Sequence, residues 1–309
     1  MDIDKYVARR AEAINTALPG LINGLKGAHP RLAEAMKYSL CAGGKRLRPV
    51  LMGAAYEIFG GSAPDILPAA CALEMVHTYS LVHDDLPAMD DDDLRRGRPT
   101  SHRVYGEAAA ILAGDALLTD AFTVLLNSKY PRRVKSAGVL RAGAVLAGRA
   151  GARGMVSGQA ADLEAEGFLR GPRLTPARKR AGARLLSYIH LHKTADLITA
   201  ALEMGAALGG AAERDFSALS EFGREMGLCF QAADDILDVV GDKKKLGKSG
   251  SDARNHKLTC VSLLGLAGAR AKAERLMQSA LSRLGQVRGA AGPKAALAGI
   301  AEFVYRREK

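Results

Sequence analysis

The stretch Phe222–Val240, FGREMGLCFQAADDILDVV, sets Gln231, Asp234, Asp235 and Asp238 at i, i+3, i+4 and i+7. At about 100° per residue these four share one face of a single helix. Phe230, Ala233, Ile236, Leu237 and Val239 surround them. Crowded carboxylates among apolar neighbours repel and desolvate one another. A fold that keeps them must bring a counter-charge. Hard divalent cations such as Mg2+ meet that need, taking carboxylate oxygens and completing their shell with water and phosphate.

A second segment repeats the pattern about 150 residues earlier. In CALEMVHTYSLVHDDL (71–86), His77, Ser80 and Asp84 interrupt an apolar helix at steps of three and four. The helix must break at Pro87, and the chain continues PAMDDDDLRRGRP. Asp84 and Asp85 therefore end a buried-looking helix, and Asp90 follows after a turn. A single short acidic pattern arises easily by chance. Two clusters, each late in an apolar helix and each followed by Lys or Arg, point to divalent-metal chemistry on phosphate esters.

The rest of the chain supports an all-α fold. Aromatics are 5% of the residues and Trp is absent, so strand formers are scarce. Helical periodicity predicts segments near 3–18, 29–41, 46–59, 65–86, 105–128, 132–149, 151–165, 176–190, 194–209, 213–240, 258–268, 270–285 and 293–307. Pro30, Gly60-Gly61, Pro64, Pro99, Pro131, Gly171-Pro172 and Gly292-Pro293 separate them. The polar stretches 87–104 and 241–257 read as loops, and 166–180 as an irregular basic connection. No linker divides the chain, so 1–309 reads as one domain.

The formal charge of +11, from 44 Lys and Arg against 33 Asp and Glu, suggests anionic partners. The basic residues are dispersed and no nucleic-acid-binding motif is present, which favours small phosphates over nucleic acid. Cys41, Cys71, Cys229 and Cys260 form no CxxC pair and read as reduced core thiols. The charged start MDIDKYVARR carries no apolar signal segment. No run approaches the roughly 20 apolar residues that span a bilayer. A soluble, cytoplasmic protein is expected, without membrane insertion.

Basic residues supply ligands for diphosphates. Lys45 and Arg48 lie in GGKRLRP at a helix start, where two glycines, free N–H groups and two cations make an anion site. Arg95 and Arg96 follow the first acidic cluster. Lys193 and Thr194 open a helix in HLHKTADL. Lys248 follows the second cluster, and Lys257 comes nine residues later.

In this order, GGKRLRP (43–49), SLVHDDLPAMDDDDLRRGRPT (80–100), GQAADL (158–163), HKTADL (192–197) and ADDILDVVGD (233–242) resemble the blocks of the trans-prenyl diphosphate synthases, or polyprenyl synthetases. The resemblance covers roughly residues 30–305. It is nearest to the bacterial farnesyl diphosphate synthase branch, with its two extra residues between Asp85 and Asp90. It implies about a dozen helices around a deep central cavity, a homodimer, and three Mg2+ between the two Asp-rich helices. It implies that Asp84 and Asp90 ligate metal with Asp85 beside them, and that Asp234 ligates the third ion, supported by Asp235 and Asp238. Arg95, Lys193, Thr194, Gln231, Lys248 and Lys257 would hold the allylic diphosphate. Lys45, Arg48, His77 and Arg96 would hold isopentenyl diphosphate. Tyr79 and Ser80, just before Asp84, would set product length; an aromatic there goes with short products, and a C15 product is expected. Other readings are a geranyl or geranylgeranyl diphosphate synthase and a non-catalytic partner subunit. A helical metal phosphohydrolase built on the pair His83-Asp84 is a further one.

Overall fold

The computed structural model describes residues 1–169, 175–241 and 257–306. Lys248 and the core of the basic connection at 170–174 lie outside them. The helices are α1 (Ile3–Asn23), α2 (Pro30–Leu40), α3 (Leu47–Ile58), α4 (Leu67–Asp84), α5 (Ser101–Tyr105), α6 (Glu107–Asn127), α7 (Ser136–Ala150), α8 (Met155–Glu164), α9 (Pro176–Ile189), α10 (Asp196–Leu208), α11 (Glu213–Val240), α12 (Cys260–Gly285) and α13 (Ala291–Tyr305). A 3-10 turn, Ala63–Ile66, leads into α4, and a π-helical turn, His190–Ala195, joins α9 to α10.

Two expectations need correction. The stretch 87–104 is not all loop: Leu94–Arg95 and Arg98–Pro99 pair antiparallel as β1 and β2, and α5 follows. Gly97 at φ 73° supplies the left-handed turn between the two strands. The helices expected at 258–268 and 270–285 do divide, but at Gly265, whose non-helical φ of 71° breaks α12 earlier than expected.

Helix ends follow local chemistry. The Asp2 carboxylate accepts from the Lys5 N–H at the start of α1, and the Thr175 hydroxyl accepts from the Arg178 N–H at the start of α9. Thr259 and Ser262 form a reciprocal box at the start of α12. Pro30 and Pro176 occupy first-turn positions, where a missing N–H costs nothing.

α10 is the centre: every residue from Asp196 to Leu208 is buried. It packs against α3, α7 and α11. Gly205 permits the closest approach, since a Cβ there would stand 2.4 Å from the Met52 carbonyl oxygen. The two carboxylates on α10 are both satisfied by Arg149 of α7. It donates to Asp196 Oδ1 at 2.6 Å and to Glu203 through Nε and Nη2 at 3.0 and 2.6 Å.

α4 is likewise buried on nearly all sides from Ala69 to Tyr79. Its one buried acid in that span, Glu74, takes a 2.6 Å bond from Arg46. Arg46 also donates to the Leu40 carbonyl and to Asn15, tying α1, α2 and α4 together at the GGKR loop. Arg46→Met leaves Glu74 as an unpaired interior charge. Urea unfolding is expected to show a loss of about 3–5 kcal/mol. Most of it should return in the double variant Arg46→Met/Glu74→Met.

Candidate active site

α4 ends at Asp84, and the chain turns back so that the Asp90 N–H bonds the Asp84 carbonyl at 2.9 Å. The residues between the two acids therefore loop outward, and the acids themselves are brought together. Asp84 lies in the field of Lys193, Asp90, Arg95 and Asp85. Burial pushes its carboxyl up to about 6; Lys193 opposes the rise most strongly, and Asp90 adds to it. A carboxylate destabilised in this way is short of positive charge.

Asp85, expected beside the metal, is paired within the fold. Its Oδ1 takes two bonds from Arg95, at 2.6 and 2.5 Å from Nε and Nη2, and it is 3% exposed. Arg95 also reaches Asp92 at 3.6 Å. Asp85 thus anchors the β1–β2 hairpin under the cluster. Arg95, expected on a diphosphate, is here the partner of that anchor.

On α11, Asp234 and Asp238 are half-buried, one turn apart on the same face. Asp235 is 4% exposed, and both of its oxygens are engaged. Oδ1 accepts from Gln231 Nε2 at 3.1 Å, and Oδ2 accepts from the Cys260 N–H at 2.6 Å with His190 Nε2 at 3.3 Å. It caps the start of α12 and holds the π turn. His190, Asp235 and Cys260 place ligand-type atoms within 4.8 Å of one another. The two ring nitrogens of His190 face different partners, Nε2 toward Asp235 and Nδ1 toward the Cys260 sulfur at 4.0 Å. Lys272 donates to that sulfur at 3.5 Å. We read the group as an interlock of α11, α12 and the π turn, with the Lys272 ammonium supplying the positive charge.

Two bridges join the acidic ends. Lys193 acts on Asp84, while the next residue, Thr194, donates to Gln231 Oε1 at 2.7 Å. Lys257 bonds Asp90 Oδ1 at 3.1 Å, three residues before the N–H that Asp235 accepts. The π turn sets Lys193 and Thr194 toward different neighbours, a local departure common at functional positions. Both clusters therefore converge on the π turn.

Three contributors escaped sequence reasoning. Asp162 accepts from Lys193 Nζ at 2.6 Å and lies 3.8 Å from Lys257 Nζ. Gly158 lets α8 lie against the π turn, since a Cβ there would stand 2.0 Å from the Lys193 backbone nitrogen. Gln159, the next residue, has both amide atoms buried without a partner. The signal was the GQAADL block itself, which carried no residue roles.

A second, basic group sits at the other end of the α4 stripe. Arg48 Nη1 and His77 Nε2 are 3.3 Å apart. Arg96 Nη1 bonds the Gly43 carbonyl, and a Cβ at Gly44 would stand 2.7 Å from its guanidinium. Lys45 Nζ lies 4.8 Å from the centre of the Phe303 ring on α13. Burial holds His77 well below its ordinary value, and Arg48, Arg96, Arg95 and Arg46 push it further down. The expected set Lys45, Arg48, His77 and Arg96 is thus a strongly positive region.

Tyr79 is buried, its ring edge-on to His83 with centroids 5.7 Å apart, and its hydroxyl is pushed up to about 12 by burial and then by Asp84. His83 Nε2 stands 3.0 Å from the Ile111 carbonyl of α6, in space that Gly114 leaves open. His83 therefore faces α6 while Asp84 faces Lys193, which divides the His-Asp pair a phosphohydrolase would need. The Ser80 hydroxyl bonds its own helix at the His77 carbonyl.

The donor set fits Mg2+: oxygen ligands from carboxylates short of positive charge, beside cations that suit phosphate. Gly158→Ala must displace the Lys193 backbone. Thermal unfolding is expected to show a loss of about 1–3 kcal/mol, together with weaker binding of inorganic pyrophosphate.

Comparison with known proteins agrees with this geometry. The polyprenyl synthetase family model matches residues 29–290. A farnesyl diphosphate synthase of Geobacillus stearothermophilus is 45% identical over 309 residues, covering 100% of this chain and 99% of that protein. The large subunit 1 of a chloroplastic heterodimeric geranylgeranyl pyrophosphate synthase of Arabidopsis thaliana is 45% identical over 284 residues, 92% of this chain and 74% of that protein. Among solved structures, a geranyltransferase from Helicobacter pylori complexed with magnesium and isoprenyl diphosphate aligns with a TM-score of 0.79 at 33% identity, covering 98% of this chain and 97% of that one. The chain belongs to the polyprenyl synthetase family.

Proposed function

We propose that this enzyme condenses isopentenyl diphosphate with dimethylallyl or geranyl diphosphate, using Mg2+, to give farnesyl diphosphate. The carrying observation is that Lys193 of the π turn acts on Asp84 while the adjacent Thr194 donates to Gln231, on the helix that carries Asp234 and Asp238. Family membership and a relative named farnesyl diphosphate synthase support it. We assign metal ligation to Asp84, Asp90, Asp234 and Asp238, with three ions as the working number. Bound there, Mg2+ neutralises the diphosphate leaving group as the allylic C–O bond breaks.

Lys193, Thr194 and Gln231 hold the allylic diphosphate from the π-turn side, with Lys257 beside Asp90; Lys248 belongs to the same set and lies outside the described residues. Lys45, Arg48 and Arg96 hold the second diphosphate, and neutral His77 adds a hydrogen-bonding partner without adding charge. The C4 alkene of isopentenyl diphosphate attacks the allylic cation, forming one carbon–carbon bond. Loss of a proton to the departed pyrophosphate restores the alkene. The apolar surroundings that raise Asp84 also keep water from the cation. Tyr79, with Ser80 beside it, sits below Asp84 on α4, and its ring is the stop that limits growth to C15.

Incubation with isopentenyl diphosphate and either starter, read by mass spectrometry, is expected to show a C15 product. Asp84→Asn and Asp234→Asn should each lower kcat by about 10³ or more while circular dichroism stays unchanged. Tyr79→Ala should add products longer than C15. Full activity in either Asp variant refutes the metal assignment, and an unchanged product profile refutes the stop.

α6 also bears on assembly. Against the expectation that no segment is long and apolar enough to cross a membrane, Glu107–Asn127 is, by length and composition. One face lies along α4. The other leaves Ile111, Leu112 and Leu126 exposed, and Leu140 of α7 is 65% exposed. Asp115 and Asp120 interrupt the helix, which disfavours a lipid setting. We assign this face to a second copy of the chain, in a cytoplasmic homodimer. Leu112→Asp is expected to halve the mass measured by light scattering; an unchanged dimer refutes that surface.

A further inference from the structure

His83 takes no part in the chemistry described above, although it stands between Tyr79 and Asp84 on α4. It follows Tyr79 by four residues, so the two share one face of the helix. A helical side chain leans toward the N-terminus, over the turn before it. The His83 ring accordingly meets the Tyr79 ring edge-on, with centroids 5.7 Å apart and planes at 81°. Tyr79 itself is 6% exposed.

α6 holds His83 from the other side. Nε2 is 3.0 Å from the Ile111 carbonyl oxygen and 3.9 Å from an Asp115 carboxylate oxygen. A carbonyl only accepts, so the hydrogen of the first contact is on Nε2. Gly114 makes the space, since a Cβ there would stand 2.1 Å from Nε2 and 2.4 Å from Cδ2. That glycine sits inside α6 in the run AAAILAGDALL (108–118), among alanines and leucines that favour a helix. Its backbone is outside the left-handed region that calls for glycine. Glycine weakens a helix interior relative to alanine, so room for the imidazole is what this residue contributes.

A ring that blocks a growing chain must resist being turned aside. Tyrosine has other staggered χ1 wells, and a prenyl tail one isoprene unit longer would press it toward them. His83 fills the turn above Tyr79, and α6 fixes His83 with one hydrogen bond and a shaped slot.

We propose that His83 and Gly114 are positioning residues for product length: Gly114 seats the His83 ring between α4 and α6, and that ring holds Tyr79 across the path of the tail. The inference rests on Tyr79 as the stop at C15.

The test reads product lengths by mass spectrometry on the full chain with Mg2+, isopentenyl diphosphate and geranyl diphosphate, at equal low conversion. The proteins are wild type, His83→Ala, Gly114→Ala, Tyr79→Ala, and the doubles His83→Ala/Gly114→Ala and Tyr79→Ala/His83→Ala. His83→Ala, with Tyr79 intact, is expected to raise the ratio of C20 to C15 product about tenfold. Gly114→Ala should raise it in the same direction, because the new Cβ must displace the imidazole. In the His83→Ala background there is no imidazole to strike, so Gly114→Ala should change the ratio by less than about threefold. A general parting of α4 from α6 would act in both backgrounds alike. His83→Ala should also add less than about threefold to Tyr79→Ala, whose stop is already gone. A merely structural role for His83 would lower stability or turnover and leave the ratio unmoved. Should His83→Ala give no product, Gly114→Ala decides alone. An unchanged ratio in Gly114→Ala overturns the proposal, as do equal effects of Gly114→Ala in the two backgrounds or the loss of all product in both single variants. Longer products from Tyr79→Ala beside unmoved ratios in His83→Ala and Gly114→Ala remove this inference and leave the stop standing. C15 alone from Tyr79→Ala removes the stop and this inference with it.

Discussion

The structure depends on how it keeps carboxylates inside apolar helices. Three buried acids in the core are matched to a cation from another element: Glu74 to Arg46, and Asp196 and Glu203 to Arg149. Breaking such a pair costs far more than its formation contributes, so these contacts specify the arrangement of α1, α2, α4, α7 and α10 more than they stabilise it. Asp84 is the contrasting case. Burial pushes it up to about 6 although Lys193 and Arg95 both act against the rise. The fold resolves its structural acids internally and leaves this one in need of external charge.

The π turn makes that difference usable. A regular helix through 190–195 would advance Lys193 and Thr194 by 100° each and commit them to a single pattern of neighbours. The wider turn sends Lys193 to Asp162 and into the field of Asp84, while Thr194 reaches Gln231. Gly158 permits it, because any side chain on that face of α8 would strike the Lys193 backbone. The interlock of His190, Asp235 and the Cys260 N–H fixes the turn from behind. Positioning therefore comes from one close approach of backbone and from two contacts to Asp235, and the lysine is presented on a packed element.

Much of this was legible in the residues, for identifiable reasons. α11 runs over 213–240 as periodicity predicted, since Gly210 interrupts the chain before it and Gly241 follows it. The two acidic clusters were visible because acids are rare inside apolar helices. The contacts of each acid within a cluster were not legible. Asp234 and Asp235 are adjacent and chemically identical, and helical spacing puts both near one face. Only the position of α12 reveals that Asp235 caps another helix. The pairing of Asp85 with Arg95 was likewise invisible in the sequence, since it depends on a hairpin two residues wide per strand. Asp162 stood in the GQAADL block without a role, because its contacts come from lysines 31 and 95 residues further along the chain.

α4 shows how one helix can serve two diphosphates of different character. His77 and Asp84 are seven residues apart on one stripe, about 10 Å along the axis. Burial acts on both, yet it moves them in opposite directions in pKa because each is driven toward its neutral form. The neighbours then distinguish the two ends. Four arginines depress His77 further, which marks the N-terminal end as positive. Asp90 raises Asp84 further, and Lys193 opposes it without reversing the shift. A phosphate group is attracted directly to the first end and is repelled by the second unless divalent ions intervene. The stripe thereby carries two ends of different electrostatic character, one already positive and one short of positive charge.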